Sequence, residues 1–242
     1  VIVECMTEEI QILKEFEKAA LLCEKNYTRE DIFNILKTPS DSGNDIDIEK
    51  QICILKLQDI KNAQEADLLM FHLTGHHGLI REACAQKVNE FLKSEQYSDF
   101  FQTKENLNTL LKAVNDINPN ICRLICEILP FVQDKDYFLK ILYERFDTVF
   151  AELEQLKRSN WYTKKLFNLY WCLEALGNLY PPDSQRLEDI ILKTSKFRDY
   201  TIREKTAMVL SRIKSDSTVL QQVKEQLKQD ENFYVKRYAS IW

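Results

Sequence analysis

Glycine and proline are scarce in this chain, at four and five residues of 242. A many-stranded β protein draws its tight turns from those residues, so their scarcity argues against one. Long apolar runs are missing as well. No stretch approaches the roughly 20 apolar residues that a bilayer-spanning helix needs, and no membrane span is expected. The first residues carry Glu4, Glu8 and Glu9 where a secretory leader would have a basic segment and an apolar run. No leader is therefore expected, and Met6 reads as a candidate natural start. Histidine is nearly absent. His72, His76 and His77 are the only three, which leaves no imidazole elsewhere to act as base for a Ser or Cys nucleophile. Neither G-x-S-x-G nor a glycine-rich phosphate loop occurs. Positive charge is in deficit too: the net charge is −5, which disfavours nucleic acid as a general partner. Residues 181–242 run the other way, with 12 basic and 9 acidic side chains. A solvated helical surface shows fluctuations of that size without any purpose.

What is present is apolar, and its spacing is helical. Hydrophobic residues make up 45% of the chain, enough for a substantial core. They recur every three or four positions, as in Ile10, Leu13, Phe16, Ala20 and in Leu139, Leu142, Phe146, Phe150, which predicts amphipathic helices throughout. Breaks are expected near residues 38–45, 74–78, 115–120, 159–160, 180–184, 198–201 and 230–232, where Gly, Pro, Asn, Asp and Ser gather. The seven cysteines form an odd set on apolar helical faces, the usage of reduced intracellular thiols, so a cytoplasmic location is expected. The sequon Asn26-Tyr27-Thr28 would matter only in a secreted protein.

The chain also repeats itself. Gly78-Leu79-Ile80-Arg81-Glu82-Ala83-Cys84-Ala85 matches Tyr200-Thr201-Ile202-Arg203-Glu204-Lys205-Thr206-Ala207, and both match Phe233-Tyr234-Val235-Lys236-Arg237-Tyr238-Ala239-Ser240. Each has a β-branched residue, then a basic one, then a small pair four and five positions after the β-branched one. Pro119-Asn120-Ile121-Cys122-Arg123-Leu124-Ile125-Cys126 is a looser copy. Cys172-Leu173-Glu174-Ala175-Leu176-Gly177-Asn178-Leu179 keeps the second half, in register with Asn168. The anchors at 80, 121, 168, 202 and 235 stand 41, 47, 34 and 33 residues apart, the spacing of helix pairs, and Ile48 is a candidate earlier start. The 47-residue interval calls for a longer first helix between about Lys135 and Arg158.

These motifs resemble the HEAT family, including its shorter variant from phycobilin lyases, whose second helix carries V-R-x-x-A-A-x-A-L-G-x-L. The resemblance covers roughly residues 28–242. It implies an all-α fold, a right-handed α-α superhelix or solenoid of about five to six helix pairs, with the second helices along its concave side. The expected organisation is one domain over residues 1–242, with residues 1–27 as a capping helix. Trp242 either plugs the end of the stack or precedes further chain, and both readings stay open.

Few constellations suggest chemistry. The histidine cluster falls at a turn, without H-E-x-x-H order or neighbouring ligands at metal spacing, and reads as exposed turn residues. HEAT-repeat hydroxylases hold iron through His-Glu dipeptides, and none occurs here. Cys122 and Cys126 share a helix face, but no second pair completes a zinc site, so packing is their expected role. No catalytic residue, metal or cofactor is expected. The stretch Arg158-Ser159-Asn160-Trp161-Tyr162-Thr163-Lys164-Lys165 gives a faint likeness, in its aromatic and basic residues, to alkylpurine DNA glycosylases, also HEAT-like solenoids, though without an Asp beside Trp161, and nucleic-acid processing is therefore the alternative function.

The sharper expectation concerns the concave face. With each anchor as position zero and positions four, seven, eight and eleven buried, positions two, three, six and ten look outward. In the first repeat these include Ala83. Further along they bring up Arg123, Phe131, Tyr170, Trp171, Lys205, Met208, Arg212 and Tyr238. Arg123, Phe131, Tyr170, Trp171, Met208, Arg212 and Tyr238 make up the expected binding patch, of the residue types enriched at interface hot spots. A register slip of one would instead make Trp171 and Phe131 core residues. The leading expectation is a non-catalytic scaffold or adaptor that holds a protein or peptide there.

Overall fold

A computed structural model of the chain describes residues 16–40, 44–182 and 184–241. Cys5, Ile10, Leu13, Trp242 and the first part of the expected capping helix lie outside the described residues; residues 16–24 of that helix are helical (α1). The described secondary structure is α-helix with two short 3-10 segments and no strand, as expected for an all-α repeat protein. Two compact units divide the chain, Val1–Phe101 and Gln102–Trp242.

In the first unit, α2 (Arg29–Lys37) pairs with α3 (Asn44–Lys56), and α4 (Ala63–Leu73) pairs with α5 (Gly78–Leu92). In the second, α6 (Lys104–Val114) pairs with α7 (Pro119–Ile128), α8 (Lys135–Gln155) with α9 (Asn160–Leu179), α10 (Gln185–Ser195) with α11 (Tyr200–Arg212), and α12 (Thr218–Lys228) with α13 (Phe233–Ala239). Second helices pack on second helices: α3 on α5, and α7, α9, α11 and α13 in a row. The described residues thus hold six pairs, at the upper end of the expectation. At 21 residues α8 is the long first helix that the 47-residue interval required.

Local chemistry repeats with the pairs. Every first helix from α4 to α12 opens on Asn62, Thr103, Asp134, Ser184 or Ser217, whose side chain accepts the amide proton three residues on. Thr28 does the same for α2 and completes a capping box with Asp31. Three second helices, α7, α11 and α13, use a tighter cap. Asn118, Asp199 and Asn232 each accept from the amide two residues on, within Asx turns that also engage Asp116 and Asp230.

The basic residue of the motif has a structural task that the sequence did not disclose. Nη1 of Arg81 donates to the carbonyls of Gly75 and His76, at 3.2 and 2.9 Å. Nη1 of Arg203 donates to those of Phe197 and Arg198, at 2.9 and 3.5 Å. In both repeats the acceptors lie six and five residues back, just beyond the C-cap of the first helix. The arginine therefore satisfies carbonyls of the turn between the two helices, where no regular backbone ladder supplies a donor. Arg203 also clasps Asp230 of the next turn through Nε at 2.7 Å.

The anchor and small residues expected in the core are found there. Ile80, Ile121, Ile202 and Val235 are buried, and so are the small residues Cys84, Ala85, Ala175, Ala207 and Ala239 that let helices approach. Gly177 marks the tightest approach: a Cβ there would stand 3.3 Å from Cγ2 of Val209, so α9 and α11 meet where only a hydrogen fits comfortably. Tyr180 closes α9 in the left-handed region (φ 48°) ahead of Pro181-Pro182.

Candidate functional site

The expected patch draws on α7, α9, α11 and α13, all in the second unit. Its centre is Glu174 of α9, which bonds to side chains of α11. Oε2 of Glu174 accepts from Nζ of Lys205 at 2.6 Å, while Oε1 accepts from Nη1 of Arg212 at 2.6 Å and from Nδ2 of Asn178 at 3.0 Å. The Lys205 ammonium also lies 4.1 Å from the centroid of the Tyr170 ring, near enough for a cation–π contact. Tyr170 meets Trp171 edge to face at 5.6 Å, and Trp171 meets Phe167 at 6.1 Å. One carboxylate, two cations and three aromatic rings are thereby joined into one network.

Burial and charge oppose each other at Glu174. Burial pushes its carboxyl up, but the Arg212 hydrogen bond and the Lys205 charge prevail, and the group is held below the ordinary glutamate range. The neighbouring Glu204 has no such clasp, and its burial raises it. With Glu174 ionised and both cations charged, the triad carries one excess positive charge.

Tyr170, Trp171, Met208, Arg212 and Tyr238 are half-buried, whereas Arg123 and Phe131 are exposed. Described contacts connect Tyr170, Trp171 and Arg212. Arg123 stands apart on α7, paired with Glu127 at 2.6 Å, and Phe131 lies on the 3-10 segment after α7. Trp171 is neither a free surface ring nor a full core residue. Its Nε1 is buried with no hydrogen-bond partner among the described residues.

Position three of the repeat departs from expectation. Ala83 and Lys205, expected to face outward, are buried at 2% and 3%. Successive helix positions turn by about 100°, so position three stands only some 60° from the anchor, on the flank of the buried stripe. There it meets the adjoining second helix. Small Ala83 fits without difficulty, but Lys205 must bring a counter-charge, and Glu174 supplies it. A lysine at a place held by Ala83, Leu124 and Tyr238 in other repeats was the signal for this network.

The histidines also differ from expectation. His76 is exposed in the turn, but His72 is buried on α4 with Nε2 2.8 Å from the carbonyl of Leu36, and His77 is half-buried. Cys53, Cys84, Cys122, Cys126 and Cys172 are buried and Cys23 is exposed. No group of His, Cys, Asp and Glu suited to a metal is found among the described residues, and no described helix is long and apolar enough to cross a membrane.

The architecture defines a helical-repeat protein, assembled from hairpins whose second helices adjoin. No family model matches the chain, and no curated protein matches it either. Among solved structures it is similar to a chain in the complex of CpcE and CpcF of phycocyanin lyase from Nostoc sp. PCC7120, at 13% identity and a TM-score of 0.47, over 89% of this chain and 75% of that one.

Proposed function

We propose that the chain is a non-catalytic scaffold or adaptor that binds a protein or peptide segment along the second-helix face of α7, α9, α11 and α13. The observation that carries this reading is the network around Glu174. Half-buried aromatic rings and Met208 stand beside Arg212 and Lys205, a mixture suited to gripping a partner through apolar contact plus hydrogen bonding. The spare positive charge of the triad favours a partner segment with a carboxylate among its aromatic or aliphatic side chains.

A displayed library of random peptides selected on the full chain tests the reading. Enriched peptides are expected to be acidic-aromatic and to lose about tenfold or more in affinity on Phe131→Ala or Tyr238→Ala, two substitutions that leave the triad intact. Peptides that bind both variants as well as the parent protein would sink it. So would salt-sensitive binding of duplex DNA that Trp161→Ala abolishes, because Trp161 is 60% exposed with Lys164 and Lys165 close to its ring.

A further inference from the structure

The first unit contains a cavity of about 820 Å³ bounded by α2, the turn after it, α3, α4 and the start of α5. Small-molecule sites have volumes of this order. Its walls are mainly apolar, from Leu36, Leu68, Phe71 and Ile80. Phe71 is 71% exposed, a large ring that the core does not use.

Against that apolar wall stand charged groups that water does not reach. Lys50 lines the cavity yet is only 2% exposed, so it lies at the deep side. An ammonium has three donors. The described partner of Lys50 is Oγ of Ser40, 3.1 Å away. The Ser40 hydroxyl donates in turn to Oδ1 of Asp47, at 2.7 Å. Asp47 thus offsets the buried cation through an intervening hydroxyl. Two further polar groups line the same cavity. His72 donates from Nε2 to Leu36, and burial, reinforced by the Lys50 charge, lowers its pKa and keeps it neutral. Nδ1 of His77 is buried with no hydrogen-bond partner among the described residues. A desolvated ammonium with donor capacity to spare and an orphaned imidazole nitrogen are what a site looks like when an anion completes it.

We propose that this cavity binds a small monocarboxylic acid with an apolar tail, its carboxylate on Lys50 and its tail among Leu36, Leu68, Phe71 and Ile80. A single negative charge is favoured over a phosphate because one ammonium faces it and Asp47 stands close behind, where a dianion would be repelled. The tail follows from the walls: transfer of each methylene out of water contributes about 0.8 kcal/mol.

Calorimetric titration of the full chain with octanoate tests this, with octylammonium and octan-1-ol as probes of the same length. Octanoate is expected to saturate a single site and to bind at least tenfold more tightly than octylammonium. Lys50→Met keeps the stem and removes the charge; it is expected to weaken octanoate about tenfold without weakening octan-1-ol. Leu68→Trp, at a half-buried lining position, fills the cavity and is expected to abolish binding of all three probes. Melting curves report whether each variant is folded. Equal affinity for octanoate and octylammonium, or octanoate binding unchanged in Leu68→Trp, would overturn the proposal.

Discussion

At the scale of single residues, the second unit turns on Glu174. Its folded-state pKa is depressed, so the stability it contributes is fully present above the unfolded glutamate pKa of about 4.3 and is lost as pH falls through the lower folded value. Glu174→Gln leaves Lys205, 3% exposed, without its counter-charge. At neutral pH the variant is expected to lose roughly 2–4 kcal/mol of unfolding free energy in urea. The gap between variant and parent should close as the acid limb below about pH 4 is descended; a gap of constant size would show that the network contributes no charge-dependent stability. The sequence displayed Lys205 plainly but not its burial, because hydropathy treats a lysine on the flank of a helix as a surface residue. Only the neighbouring helix decides otherwise.

Among the elements, the turns inside each pair were legible; of those between pairs, the break at 180–184 was legible and those at 57–62 and 213–217 were not. Asx residues and glycine mark residues 74–77, 115–118 and 229–232 as breaks. At 57–62 and 213–217 the chain turns with Leu57, Ile60 and Ile213 buried, so the apolar period runs on and conceals the helix ends. The anchor of α9 was misplaced for a related reason. Asn168 is the ninth residue of that helix, while the third, where the other second helices carry Ile or Val, is Tyr162, buried with its hydroxyl accepting from Nε of Arg198 at 3.2 Å. Similarity of residue type failed there although similarity of position held. The motif arginine gives the prediction that belongs to this scale. Arg203→Met removes two hydrogen bonds to the turn and leaves Asp230, whose side chain is 10% exposed, without its clasp. A loss of about 2–3 kcal/mol is expected in chemical denaturation. Arg186→Met, which breaks an exposed pair with Asp147, should cost within about 0.5 kcal/mol. Equal losses would mean that the turn contacts of Arg203 contribute nothing.

Across the whole molecule, all-helical character, the number of pairs and the long α8 could be read from composition and spacing, because helix pairs impose their period on the sequence directly. The thiols report on the same packing in both units. Burial pushes Cys53 and Cys122 up to about 12 and Cys172 to about 11, and it raises Cys84 and Cys126 as well. All five are expected to resist iodoacetamide in the native protein while Cys23 is alkylated, as peptide mass spectrometry would show. Rapid modification of any of the five without denaturant would contradict the helix packing around it. The arginine latch reaches further still. Because donor and acceptors lie within one hairpin, six and five residues apart, a hairpin copied in phase carries the closure of its own turn with it. Repeat number can then grow by duplication with each new turn already closed, and a segment cut from this chain in that same phase is the natural part to transplant into another stack.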